Sequence, residues 1–286
     1  MKTRHFVIWA ALAFVLFAVS PLLLTSDNSA SPAHVAYLGF DRNDYPGDSA
    51  LKLLRGRFSF AGFWLNNPPG ASSNSWAGKR RVVQNLGFGF LVVFNGRTFA
   101  QIERAGDAGK LGTSDGATAV SSARQEGFPV RTIIFLDQEE GGRLLPEQRA
   151  YLHAWADAVQ AAGFRPGVYC SGIAFKEGTG ATVITAEDIQ QKAGGRKFAY
   201  WVSNDSCPPS PGCILPGKPP APSVSGVPFA VVWQFAQSPR RTEFTGGCSA
   251  NYSKDGNCYP PTGEAERLHV DLDVAISNDP SDGRPR

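Results

Sequence analysis

From residue 35 onward, short apolar runs alternate with amphipathic stretches. Eight of the runs are rich enough in β-branched and aromatic residues to read as strands. They are Val35–Asp41, Phe58–Leu65, Gly87–Phe94, Arg131–Asp137, Arg165–Cys170, Lys197–Val202, Pro228–Phe235 and Arg267–Asp273. Helical periodicity fills most gaps of the first half, at Ser49–Arg55, Ser75–Leu86, Asp115–Glu126 and Pro146–Ala162. The last of these carries Leu152, Trp155, Ala156 and Val159 on one face, with Pro146 in its first turn and Gly163 as its stop. Strands alternating with helices predict parallel βα units, and eight strands predict closure into an α/β, TIM-like (β/α) barrel. In the second half only Thr185–Lys192 has a helical period. The connections Asn204–Val227 and Ala236–Glu266 are rich in Pro, Gly and Cys, and the thirteen residues after Asp273 are too polar for a packed helix. The outer helix ring is therefore expected to be incomplete in the second half.

The first 33 residues follow another pattern. Lys2 and Arg4 precede an unbroken apolar run from Phe6 to Val19, then Ser20-Pro21 and three leucines. A basic start followed by such a run is an export signal, which leaves residues 34–286 as one barrel-sized domain. The proline break and the small residues at Asn28-Ser29-Ala30 and Ser31-Pro32-Ala33 favour cleavage. The alternative is a retained membrane anchor, since the run reaches nineteen residues with the leucines counted. The five cysteines agree with export. Cys207 and Cys213 bracket one loop-like connection and Cys248 and Cys258 another, as expected of disulfides in an oxidising compartment, although spacing does not fix the connectivity. Cys170 is left over inside a strand, as a small buried hydrophobe. The protein is thus expected to be secreted, or held in the periplasm or cell envelope.

Composition narrows the function. The chain has 286 residues, 42% hydrophobic and 19% charged, with a net charge of +3. That charge is too small to argue for nucleic acid, and the one dense basic cluster, Lys79-Arg80-Arg81, reads as the solvated face of a helix. No phosphate-binding glycine loop occurs and the four histidines are scattered, so neither cofactor nor metal is expected.

The chemistry is concentrated at strand ends, where parallel barrels keep their active sites. Alternation along the strand sends Asp137 and Glu139 to one side and Gln138 and Glu140 to the other. Two carboxyls on one side of a strand end can hold unequal pKa values, as acid-base cleavage of an acetal requires. Further acids end the first strand at Asp41 and the last at Asp271 and Asp273. Aromatics add to them: Trp64, Tyr169, Trp201, and Trp233 beside Gln234. Flat apolar rings next to carboxylates suit the CH faces and hydroxyl edges of sugars.

The strand endings Gly39-Phe40-Asp41, Asp137-x-Glu139, Pro166-Gly167-Val168-Tyr169, Trp233-Gln234-Phe235 and Val270-Asp271-Leu272-Asp273 occur in the order seen in family 25 glycoside hydrolases. Those are muramidases whose barrel has five βα units and then three strands. Residues from about Ala36 to Asp273 resemble the bacterial DUF1906 family of exported, glycoside-hydrolase-like domains more closely. The resemblance implies Glu139 as general acid, Asp137 orienting substrate or stabilising the oxocarbenium, Asp41 and Asp271 framing the cleft, and Tyr169 lining it. Two departures stand out. Phe94-Asn95-Gly96-Arg97 replaces an acidic turn after the third strand, and Asp273 stands where the muramidases carry Asn. The expected activity is cleavage of cell-wall or related polysaccharide, with N-acetylated sugars, by a Glu139 kept protonated by burial and by the charge of Asp137. The alternative is a catalytically silent barrel that binds envelope glycan. A metal-dependent hydrolase using the aspartates is weaker, because no histidine pair is available to share the ligation.

Overall fold

The computed structural model describes residues 35–178, 180–205, 215, 217–237 and 268–285. The export segment and all four loop cysteines, Cys207, Cys213, Cys248 and Cys258, lie outside these residues.

Eight strands close a barrel: β1 (Tyr37–Asp41), β2 (Phe60–Trp64), β3 (Gly89–Asn95), β4 (Ile133–Asp137), β5 (Arg165–Ser171), β8 (Ala199–Ser203), β9 (Val232–Ala236) and β10 (Asp271–Ala275). A short hairpin, β6 (Ala174–Lys176) with β7 (Thr182–Ile184), stands outside the barrel. Helices α1 (Asp48–Leu54), α2 (Arg80–Asn85), α3 (Phe99–Ala105), α4 (Ala108–Glu126), α5 (Pro146–Ala161) and α6 (Thr185–Gln191) complete the described elements, with one 3₁₀ turn at Pro222–Ser225. The α/β barrel and its thin second half are as expected. Among the described residues, only that 3₁₀ turn follows β8 outside the sheet, and none of the helices is long and apolar enough to cross a membrane.

Within the barrel all neighbouring strands are parallel except β10, which runs antiparallel to both β1 and β9. This corrects the expectation of eight parallel strands and the placement of the last one at Arg267–Asp273. Its apolar alternation continues through Val274 and Ala275, so the strand begins where it was expected to end. Reversal sets Asp271 opposite Asp41 in the register, at the same end of the barrel. The aspartate reaches the mouth because its strand starts there.

The other end of β10 feeds the tail under the barrel. Ser281 accepts from Ile133 N at 2.7 Å, donates its N–H to the Phe90 carbonyl at 2.9 Å, and takes Val92 N on its hydroxyl at 2.8 Å. Asp279 accepts from Phe90 N. The tail passes so close to β3 that a Cβ on Gly89 would land on the Asn278 carbonyl. Arg80, expected on a solvated face, is buried here. It lies over the Phe90 and Phe128 rings and donates to the Gly283 carbonyl at 2.9 Å.

Helix α4 starts seven residues before its expected start at Asp115, capped by Asp107, whose carboxylate accepts from Lys110 N. Gly109, Gly112 and Gly116 hide its period in the sequence, since glycine is a poor helix former. Two of them serve packing. Gly112 and Gly116 lie against Tyr151, Ala154, Trp155 and Ala158 of α5, with no room for a Cβ.

Candidate active site

The ends of the barrel strands define the mouth. Asp137 pairs in register with Asn95 on one side and Tyr169 on the other, and Tyr169 with Trp201. Gly62 on β2 leaves the space that the Asp41 side chain fills. Gln234 joins the two edges of the ring. Its amide nitrogen donates to Asp41 Oδ2 at 2.8 Å and to Asp271 Oδ2 at 3.3 Å, while its oxygen accepts from the Tyr169 hydroxyl at 2.7 Å.

Under this ring the carboxyls are buried: Asp41 is 6% exposed, Asp137 5% and Asp273 0%. Burial pushes Asp41 up to about 6 against the opposing hydrogen bond from Gln234. Burial first, then the charges of Glu139 and Asp41, push Asp137 well above the usual carboxylate range. Burial, with Asp41 facing it, does the same to Asp273. Asp273 Oδ1 accepts from the Trp201 indole at 3.0 Å, and its Oδ2 has no such donor. A proton on Asp273 shared with Asp41 satisfies both groups. Among the described residues, neither oxygen of Asp137 has a hydrogen-bond partner.

Glu139 stands above them on the loop after β4, exposed rather than buried. The expectation that burial keeps Glu139 protonated is therefore corrected: at this strand end the buried carboxyl is Asp137. Four recesses radiate from the mouth, and Glu139 lines every one. The largest, 520 Å³, runs over Asn66, Asn95 and Arg97 toward α4. A second, 460 Å³, is bounded by Arg42, His269 and Asp271. A third, 150 Å³, reaches Ser171, Ser203 and Phe175 of the hairpin. The innermost, 60 Å³, is floored by Trp201, Tyr169 and Asp137.

The structure thus brings Asp41, Asp137, Glu139, Asp271, Tyr169, Gln234, Trp64 and Trp201 together at one mouth. Trp64 and Trp201 are almost fully buried, floor and wall rather than open platforms. Asp273 lies one step deeper. Trp233 is a correction. It is wholly buried on the opposite side of β9 from Gln234, with its indole on the Asn204 carbonyl and its ring against Phe235, and it lines none of the four recesses. Ser171 and Ser203 were missed. Each lies two residues beyond an inward aromatic, Tyr169 and Trp201, so alternation extended by one step finds them. Phe175 was missed because its three-residue strand is too short to read.

The loop carrying Glu139 is held along its length. Gln138 N donates to the Tyr169 carbonyl, Glu140 Oε2 accepts from Phe99 N at 2.8 Å and Gln148 Nε2 at 2.6 Å, and Leu144 N donates to Asp188. Arg143 bridges Glu177 and Asp188. Glu140 is thus a structural acceptor. Among the described residues, no His, Cys, Asp and Glu side chains form a group of three or more able to hold a metal ion.

The sequence profile of the Rv2525c-like, glycoside hydrolase-like domain family matches residues 59–207, more than half of the chain. The chain belongs to that family. Solved structures similar to this Rv2525c-like domain share its barrel at low identity. An uncharacterised protein of B. stearothermophilus is 19% identical, with a TM-score of 0.50 over 84% of this chain and 95% of that one. The Mycobacterium tuberculosis Tat-secreted protein Rv2525c, in complex with L-tartrate, is 13% identical, with a TM-score of 0.50 over 86% of this chain and 97% of that one. The Clostridium perfringens spore cortex lytic enzyme SleM is 14% identical, with a TM-score of 0.50 over 85% of this chain and 68% of that one. The search of curated proteins found no match to the sequence.

Proposed function

We propose that this Rv2525c-like domain is an exported glycosidase that cuts cell-wall or related polysaccharide at the barrel mouth, with Glu139 as general acid. The observation that carries the reading is the position of Glu139. It lines all four recesses, directly above a buried Asp137 that carries no hydrogen bond among the described residues. A chain of sugars crossing the mouth passes Glu139 whichever pair of recesses it occupies. Covering Glu139 with a sugar removes its water, which favours the protonated carboxyl that the reaction needs. As the C1–O bond breaks, the proton of Glu139 goes to the leaving oxygen, and the charge on the sugar faces Asp137 and Asp41. Water then adds to C1, and the proton it loses passes to a carboxylate of the cluster. Asp271 and Gln234 orient the substrate edge on the far side. Export rests on the apolar N-terminal run and on the expected Cys207–Cys213 and Cys248–Cys258 pairs.

The exposure of Glu139 favours a second reading, a barrel that binds glycan without cutting it. One experiment separates the two: the full chain assayed on peptidoglycan and chromogenic β-glycosides from acid to neutral pH, beside Glu139→Gln. The amide keeps the shape but has no proton to give. Turnover is expected to fall about 10²–10⁴-fold, with affinity and melting temperature retained. Equal rates in the two proteins discard the mechanism. Binding without turnover in the wild type supports the second reading.

A further inference from the structure

Asp137 combines 5% exposure with two carboxylate oxygens that no donor among the described residues reaches. Buried polar atoms are nearly always paired, so unpaired ones beside a cavity mark the partner that the cavity receives. The cavity is the innermost, 60 Å³ recess under Glu139. Among the described residues, the charged groups lining it are acidic: Asp41 from β1, Asp137 and Glu139 from β4 and its loop, and Asp271 from β10. Asp273 lies beneath, and β5 contributes the Tyr169 phenol, whereas β8 and β9 contribute no charge, only Trp201, Gln234 and Gln237. Among the described residues, Arg97 is bound through two nitrogens to Asp115, and Arg42 lines the adjoining recess with Asp44, His269 and Asp271, not the innermost one.

We propose that this recess receives the ammonium group of a deacetylated amino sugar, so that the unit preferred at the mouth is glucosamine rather than N-acetylglucosamine. The inference rests on reading the mouth as a glycan site and goes beyond it by naming the group recognised. An acetamido group offers a single N–H and no charge. An ammonium offers three donors and a positive charge, which suits the two unpaired oxygens of Asp137 together with Asp41. Burial raises the proton affinity of Asp41, Asp137 and Asp273, with neighbouring carboxylates adding to it at Asp137 and Asp273, and a bound cation opposes that rise.

Calorimetric titration of the full chain near pH 7 with glucosamine pentamer and with its N-acetylated counterpart tests this. The glucosamine form is expected to bind at least about tenfold tighter. Its enthalpy should vary with the ionisation heat of the buffer, as proton release requires, and its advantage should shrink toward pH 5. Asp137→Asn should erase the preference. Glu103→Gln, an equal change of charge on exposed α3, should leave it intact, which separates a fitted site from general attraction of a polycation. Equal or tighter binding of the N-acetylated pentamer, or binding without proton release in the wild type, overturns the inference while the glycan reading stands. Failure of both pentamers to bind overturns that reading first.

Discussion

Glu139 and Glu140 adjoin in sequence and leave the β4–α5 loop in different directions. Glu139 faces the mouth, while Glu140 spends one carboxylate oxygen on the Phe99 N–H and the Gln148 amide, joining the starts of α3 and α5. Glu140→Ala should therefore destabilise the fold by about 1–3 kcal/mol in urea denaturation, the usual cost of stranding donors, whereas Glu139→Gln should not. An unchanged midpoint for Glu140→Ala would contradict this. The buried acids predict a pH effect with a definite sign. Asp41, raised to about 6, and Asp137 and Asp273, raised further from the ordinary 3.8, stabilise the fold when protonated. That contribution is complete below about pH 4 and is lost as pH rises through the folded values. The wild type should gain more in melting temperature than Asp137→Asn on going from pH 7 to pH 5; equal gains would show that Asp137 ionises freely. Alternation identified Asp137 and Glu139, and the expected strand ends identified Asp41 and Asp271. Neither could tell which carboxyl is buried, because burial depends on the loop above β4 and on Gln234 from another strand.

At the scale of elements, the α4–α5 pair carries the outer wall behind the 520 Å³ recess, and it packs through glycines. A Cβ on Gly116 would meet Ala158 Cβ and the Trp155 carbonyl oxygen, each at 2.8 Å. Gly116→Ala gains about 1 kcal/mol of helix propensity, but overpacking typically costs about 1–3 kcal/mol. We expect a net loss in urea denaturation, and a gain would mean that the helices separate freely. The same glycines explain why the first two turns of α4 were illegible in sequence, whereas α5, with Pro146 at its start and an apolar stripe, was read to within one residue at each end. Strands buried on both faces were legible as apolar runs, although their ends moved by up to four residues. The hairpin at 174–184 was not, since two three-residue strands carry too little pattern to separate from a loop.

Across the whole molecule, the reversal of β10 organises both ends of the barrel. Its start supplies Asp271 to the mouth, and its end delivers the tail that closes the floor through Asp279, Ser281 and Gly283. Strand direction leaves no mark in an apolar run, so the sequence pattern predicted closure and the incomplete helix ring without predicting the reversal or the plugged floor. The Arg80 contact was hidden for a related reason, since a basic triplet looks solvated until the tail is seen to cover it. Among the described residues, the tail seals the floor, while the recesses lined by Glu139 lie at the other end. The most direct measurement is a crystal structure of Glu139→Gln with a cell-wall oligosaccharide bound. The account predicts sugars on both sides of residue 139, one glycosidic oxygen about 2.6–3.2 Å from its side chain, and the sugar ring on one side above Asp137. An oligosaccharide bound away from the mouth, or crossing it with residue 139 turned from every glycosidic oxygen, would contradict the account.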